Sequence, residues 1–206
     1  RNNTIRTLIK EFDYPLFGPG MMWEGFQRAV ERGGGSVTLN TEVIRLLHSK
    51  GTVRAVTAGA NGRKPKEIGA SAVLSSMPLP DLIDRLDPPP PADVAKAGRG
   101  LRYRAFMLVA LIVNRPHVFK DNWIYVHSPD VKVGRIQNYK NWSSAMVPDG
   151  KKTSLGMEFF CDEGDRLWTL PDRELILLAA RELEILGLGK ASDVEGGRVI
   201  RQPKAY

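Results

Sequence analysis

Four consecutive prolines, Pro88–Pro91, set the strongest limit on how this chain can fold. Proline has no amide hydrogen for a helix or sheet ladder and fixes its own φ, so four in a row are extended and stiff. No helix or interior strand crosses them, which divides the chain into a lobe over residues 1–87 and a second over 92–206. In the first lobe, Met22, Phe26, Ala29 and Val30 recur at helical spacing within 21–32. The Gly33-Gly34-Gly35 run then supplies the left-handed residue on which helices end. β-Branched segments follow at 36–39, 42–47 and 52–58, the last two joined by a Ser49-Lys50-Gly51 turn. Residues 73–76 read as a short strand stopped by Met77-Pro78-Leu79-Pro80, and 81–86 as one or two helical turns. In the second lobe, strand-like segments at 104–114, 123–127, 133–139 and 154–161 predict an antiparallel or mixed sheet. Pro171 opens a helix over 172–186 whose Leu175, Leu178, Ala179, Leu183 and Leu186 form an apolar stripe, ahead of a strand-like Arg198-Val199-Ile200. The expected class is α+β.

Composition excludes several functions. With 206 residues, 42% of them hydrophobic, the chain can bury a sizeable core. Its longest apolar run, Phe106–Val113, falls far short of the roughly 18 residues that span a bilayer, so no integral membrane segment is expected. The single Cys161 cannot form an internal disulfide, which makes a reducing cytoplasm the default, and its apolar surroundings mark it as a buried hydrophobe rather than a nucleophile. The net charge of +7 is spread among acids. Its densest stretch, Lys96, Arg99, Arg102 and Arg104 beside Tyr103 and Phe106, lacks a nucleic-acid motif, so the expectation is a solvated face, with an anionic small ligand such as a diphosphate as the alternative, and no nucleic acid. His48, His117 and His127 have no metal-ligand spacing, and no metal is expected. Gly18-Pro19-Gly20 begins like a dinucleotide fingerprint, but Trp23 stands where the third glycine belongs. The chain opens on Arg1 without an initiator Met and stops just after a strand, so a piece of a longer polypeptide is expected.

Ordered segments carry a family resemblance. Phe12-Asp13-Tyr14-Pro15-Leu16-Phe17-Gly18-Pro19-Gly20-Met21 resembles the F-x-Y-P-x-x-G-x-G-M segment of the flavin-containing amine oxidase superfamily, which includes protoporphyrinogen oxidase, phytoene desaturase and UDP-galactopyranose mutase. The helix, glycine turn, Gly35-Ser36-Val37 and Thr41-Glu42-Val43-Ile44 follow in the superfamily's order, and Val73–Pro78 is similar to its strand returning to the cofactor domain. Val133–Trp142 resembles its R-I-x-x-x-K strand, Leu155–Cys161 its E-[YF] strand, and Arg201–Tyr206 its R-x-x-x-A-Y-P. The superfamily's amino-terminal glycine-rich phosphate loop and carboxyl-terminal flavin motif have no counterpart in these residues.

The resemblance implies an internal portion of an FAD-dependent enzyme. Residues 1–87 would be part of an α/β FAD-binding domain, and 92–206 a substrate-binding lobe on an antiparallel sheet. It implies that the backbone of Val43 holds the adenine end of FAD, that Gly18 and Gly20 allow close approach to flavin or substrate, and that Ser76, Met77 and Pro78 line the return to the cofactor domain. Each of these has a plain reading as well: a core strand residue, a turn before a helix, a strand-ending turn. Arg135 shares a strand face with Gln137 and Tyr139 by two-residue alternation. It is either a surface cation or a bidentate partner for a carboxylate or diphosphate on a small-molecule substrate, with Tyr139 and Asn141 as weaker candidates. The implied reaction is oxidation of a small organic substrate by hydride transfer to flavin. A mutase-type isomerase and a non-enzymatic binding module are the alternatives, and catalytic residues and oligomeric state stay undetermined.

Overall fold

The computed structural model describes residues 12–60, 62 and 64–206. They form two compact units: the described residues up to Arg32 together with Arg104–Tyr206, and Gly33–Tyr103 between them in sequence. The division differs from the one expected at the prolines. Residues 12–32 belong with the later sheet rather than with the hairpin that follows them, and the prolines lie inside the smaller unit. A stiff segment punctuates secondary structure, but which elements share a core is decided by packing.

The helix expected at 21–32 forms as α1, Gly20–Arg32, with no residue buried. Its successor does not form: residues 36–39 make no strand, and Leu39 is exposed. β-Branched composition favours a strand only where a neighbour completes the hydrogen-bond ladder, and none does here.

The smaller unit is built on β1 (Glu42–Ser49) and β2 (Thr52–Gly59), an antiparallel hairpin. Its turn residues Lys50 and Gly51 have φ of 50° and 74°. Both are left-handed, as a two-residue turn matching the strand twist requires, and the glycine meets that demand without strain. β3 (Lys66–Gly69) adds beyond β2. The helix α2 (Leu79–Asp84) leads to β4 (Leu86–Asp87), which runs parallel to β1, giving a mixed sheet in the order β3-β2-β1-β4. Past the prolines, α3 (Ala92–Gly100) packs on α2 so closely that a Cβ on Gly98 would lie 2.7 Å from Ile83 Cδ1. Residues 73–76 form no strand, and Leu74 is fully exposed.

The larger unit holds the main core. Its sheet comprises β5 (Ala105–Val113), β6 (Trp123–Tyr125), β7 (Arg135–Asn138), β8 (Thr153–Cys161) and β9 (Val194–Gln202), antiparallel throughout in the order β6-β7-β8-β5-β9. A single turn, α4 (Tyr139–Trp142), follows β7, and the predicted helix forms as α5, Asp172–Ile185. The unbroken apolar run of β5 conceals an alternation. Ala105, Met107, Val109, Leu111 and Val113 are fully buried against Leu175, Ala179 and Leu183 of α5, while Phe106, Leu108, Ala110 and Ile112 face the other way and are less covered. One sheet face therefore lies under α5 and one stays open. The buried carboxylate of Glu182 ties α5 to the turn before β7 by accepting the Lys132 and Val133 amides, each at 2.9 Å.

Candidate functional site

The open face of the larger sheet carries a polar network. Pairing sets Arg135 opposite Glu158 and Gln137 opposite Gly156, with Tyr125 and Trp123 opposite the same two residues on the outer strand. Directly paired residues project to one side. Their strand neighbour Ile136 is buried in the core with α5, so these side chains stand on the opposite, uncovered face. Arg135 Nε donates to Glu158 Oε2, Gln137 Nε2 donates to Glu158 Oε1 at 3.1 Å, and Trp142 Nε1 donates to Gln137 Oε1 at 3.0 Å. Glu158 is only 4% exposed, and both its oxygens are partnered, the condition under which a buried carboxylate is tolerated. The Arg135 guanidinium carbon lies 5.8 Å from the centre of the Tyr125 ring. Burial opposes its charge, but hydrogen bonds to Glu158 and Tyr125 and the charge of Glu158 outweigh that, and Arg135 is held protonated more firmly than usual.

Tyr139 departs from the expected alternation, because Asn138 caps α4 by accepting from the Asn141 amide and Tyr139 becomes the first helical residue. Its ring still reaches the open face. A Cβ on Gly156 would lie 2.5 Å from the Tyr139 hydroxyl oxygen, so glycine is what lets the phenol lie over the sheet. That hydroxyl has no hydrogen-bond partner among the described residues. Burial, with the charges of Glu158 and Tyr14 adding to it, pushes its pKa up to about 12, so at neutral pH it keeps its proton and can donate a hydrogen bond.

Aromatic rings fix the entry segment beside this network. Trp142 stacks on Trp123 at 5.3 Å and 5°, and on Tyr14 at 5.0 Å and 27°, with Phe12 at 5.7 Å. Ser143 Oγ donates to the Leu16 carbonyl at 2.7 Å. Gly18 sits at φ +91°, which L side chains rarely adopt, with Met146 Cε 3.3 Å from where its Cβ would be. Gly20 differs: a Cβ there would meet nothing within 4 Å, so no close contact among the described residues demands glycine.

Asn141 does not face the network. Its side-chain nitrogen donates to the Phe119 and Asp121 carbonyls at 2.9 and 2.8 Å and so ties down the loop before β6. Two other residues of the matched motifs act as braces. Lys140 Nζ donates to the carbonyls of Pro116, Gly150 and Lys152, and Arg201 binds Asp172 and the carbonyls of Trp168 and Leu170. Sequence reasoning gave Trp142, Trp123 and Tyr14 no role. The available signal was that Tyr14 and Trp142 lie inside the matched segments; Trp123 had none, because stacking partners distant in sequence have no periodicity.

In the smaller unit, Val43, Ser76 and Met77 line one cavity of about 320 Å³ with Leu46, Val73 and Arg85, while Pro78, the residue before α2, is not among its lining residues. The Val43 carbonyl accepts from Arg85 Nε at 2.7 Å, so an acceptor expected to face a ligand has an internal partner. The walls are largely apolar, which is compatible with the adenine ring that the resemblance to flavin enzymes places here. No glycine-rich cradle for the FAD diphosphate stands among the described residues. No group of three metal-ligating side chains occurs among the described residues, and none of their helices is long and apolar enough to cross a membrane.

Comparison with known proteins agrees with this architecture. A crystal structure of reduced UDP-galactopyranose mutase superposes with a TM-score of 0.76 at 15% identity, over 94% of this chain and 41% of that one. A proposed protoporphyrinogen oxidase from Exiguobacterium sp. 255-15 gives 0.65 at 16% identity, over 91% and 39%. Putrescine oxidase bound to putrescine gives 0.61 at 20% identity, over 88% and 38%. The chain thus spans about two fifths of the length of these proteins. No curated protein matches it by sequence. The sequence profile of flavin containing amine oxidoreductases matches residues 16–200, nearly the whole chain, and the chain therefore belongs to that family.

Proposed function

We propose that this chain is the substrate-binding portion, with part of the cofactor-binding portion, of an FAD-dependent oxidoreductase that oxidises a small organic molecule by hydride transfer. The observation that carries the reading is the hydrogen-bonded chain Trp142–Gln137–Glu158–Arg135 on an open sheet face, with the unpartnered Tyr139 hydroxyl above it and the Gly18 turn held beside it. When bound, flavin supplies the redox chemistry, so the protein needs to orient the substrate and exclude water rather than furnish a nucleophile. Arg135 and Glu158 neutralise each other, and the face offers oriented donors more than free charge. Tyr139 holds its proton and donates it in a hydrogen bond to substrate, while Trp123 and Tyr125 shield the site. Gly18 gives the backbone room beside Met146, and Asn141 positions the loop behind. In the smaller unit the cavity lined by Val43, Ser76 and Met77 receives the adenine end of FAD, and Pro78 ends the segment that carries Ser76 and Met77. The diphosphate is left to residues outside this chain.

Expressing the complete reading frame tests this. The expected product is yellow, with stoichiometric flavin. Tyr139→Phe should keep the flavin and raise KM by roughly tenfold, the worth of one lost hydrogen bond of about 1.5 kcal/mol. A colourless full-length protein overturns the reading. A second reading, a flavin-dependent nucleotide-sugar mutase, draws support from the mutase superposition. Against it, a diphosphate approaching Arg135 must compete with Glu158, so absence of UDP binding favours the oxidase.

A further inference from the structure

We propose that a cleft on the α5 side of the larger unit binds an amphipathic anion, a carboxylate or phosphate head on an alkyl chain. The cleft has a volume of about 480 Å³, within the range of small-molecule sites. Four leucines, Leu167, Leu170, Leu177 and Leu178, line it. Leu170 and Leu178 are half-buried on the main core, and Leu177 is 46% exposed beside them. Around the leucines stand Lys132, Arg166 and Arg181 against one carboxylate, Glu174, a surplus of two positive charges. None of these four side chains makes a hydrogen bond or ion pair among the described residues, whereas nearby Asp172, Arg201 and Glu182 are all engaged.

Scattered surface cations are ordinarily solvated and bind nothing in particular. Here they converge on one apolar hollow whose walls are braced. Asp165 accepts the Trp168 and Asp162 amides at 2.7 and 3.1 Å, and Arg201 holds the Trp168 and Leu170 carbonyls, which fixes the loop carrying Arg166 and Leu170. Glu182 fixes the backbone of Lys132. A braced backbone lowers the ordering cost of binding to that of the long side chains themselves. An anionic head answers the unpartnered donors, and an alkyl chain covers the leucines. Because α5 lies on the sheet face opposite Arg135 and Glu158, occupancy here leaves the proposed substrate face free, and the proposal does not depend on the oxidase reading.

Titrating the 206-residue chain with dodecyl phosphate below its micellar concentration, followed by calorimetry, tests the assignment. Saturable binding to one site is expected, weakened by roughly tenfold or more in the Lys132→Gln/Arg166→Gln/Arg181→Gln variant and in Leu177→Gln. Inorganic phosphate and dodecyltrimethylammonium should each fail to bind. Cosedimentation with phosphatidylcholine vesicles containing phosphatidylserine, but not with phosphatidylcholine alone, would assign the head group to a bilayer. Binding of the free amphiphile without vesicle binding would assign it to a soluble ligand. Circular dichroism checks that the variants fold, and if the triple variant does not, the single glutamine variants should give a graded loss. Failure of the unaltered chain to bind, equal binding by the cationic amphiphile, or variants that bind as tightly overturns the proposal.

Discussion

The placement of Tyr139 over Gly156 rests on a missing methyl group, and two measurements follow from it. The neutral phenol is favoured in the fold. An unfolded chain begins to lose this proton near the ordinary value of 10 and the folded chain holds it to about 12, so the stabilisation is complete below 10 and fades as pH rises through 12. Ultraviolet titration should show a late-ionising tyrosine that Tyr139→Phe removes. Gly156→Ala should displace the ring at a cost of about 1–3 kcal/mol, read by urea denaturation. The Arg135–Glu158 pair gives a sharper contrast. Arg135→Met strands a buried carboxylate and should cost about 3–5 kcal/mol, whereas Arg135→Met with Glu158→Leu should recover most of that loss. Lys140→Met releases three backbone carbonyls together, and a loss of about 2–3 kcal/mol in the same denaturation assay is expected.

At the scale of elements, β9 is locked to β5 by a glycine. A Cβ on Gly197 would lie 2.5 Å from the Ala110 carbonyl oxygen, backbone that cannot swing aside, so Gly197→Ala should shift the strand and lower stability by about 1–3 kcal/mol in thermal unfolding. The elements most legible in the sequence were those whose own residues settle them. The leucine stripe of α5, the Lys50-Gly51 turn and the β5 run each carry a local signal, and each formed. Residues 36–39 and 73–76 have the same strand-like composition, yet a strand also needs an adjacent edge, which composition cannot report. The same limit divides the site. Arg135 and Gln137 could be set on one face by alternation, but Glu158 as their shared acceptor follows from register. The motif positions Lys140, Asn141 and Arg201 could not be separated from ligand-facing ones, because only tertiary structure shows which carbonyls occupy their nitrogens.

At the scale of the molecule, the larger unit is assembled from two stretches of chain with the smaller unit between them in sequence. Family membership and the α+β class are features of this whole, and they were readable early because motif order survives where individual letters drift. The Leu16–Ser143 hydrogen bond, between residues 127 positions apart, carries a further consequence. Closing so long a loop costs more entropy than the β7–β8 and β5–β8 pairings, which join residues nearer in sequence. The entry segment should therefore dock late, onto a sheet already formed. In stopped-flow refolding, amide circular dichroism should recover before the near-ultraviolet signal of Tyr14 against Trp142, so the working surface matures after the scaffold.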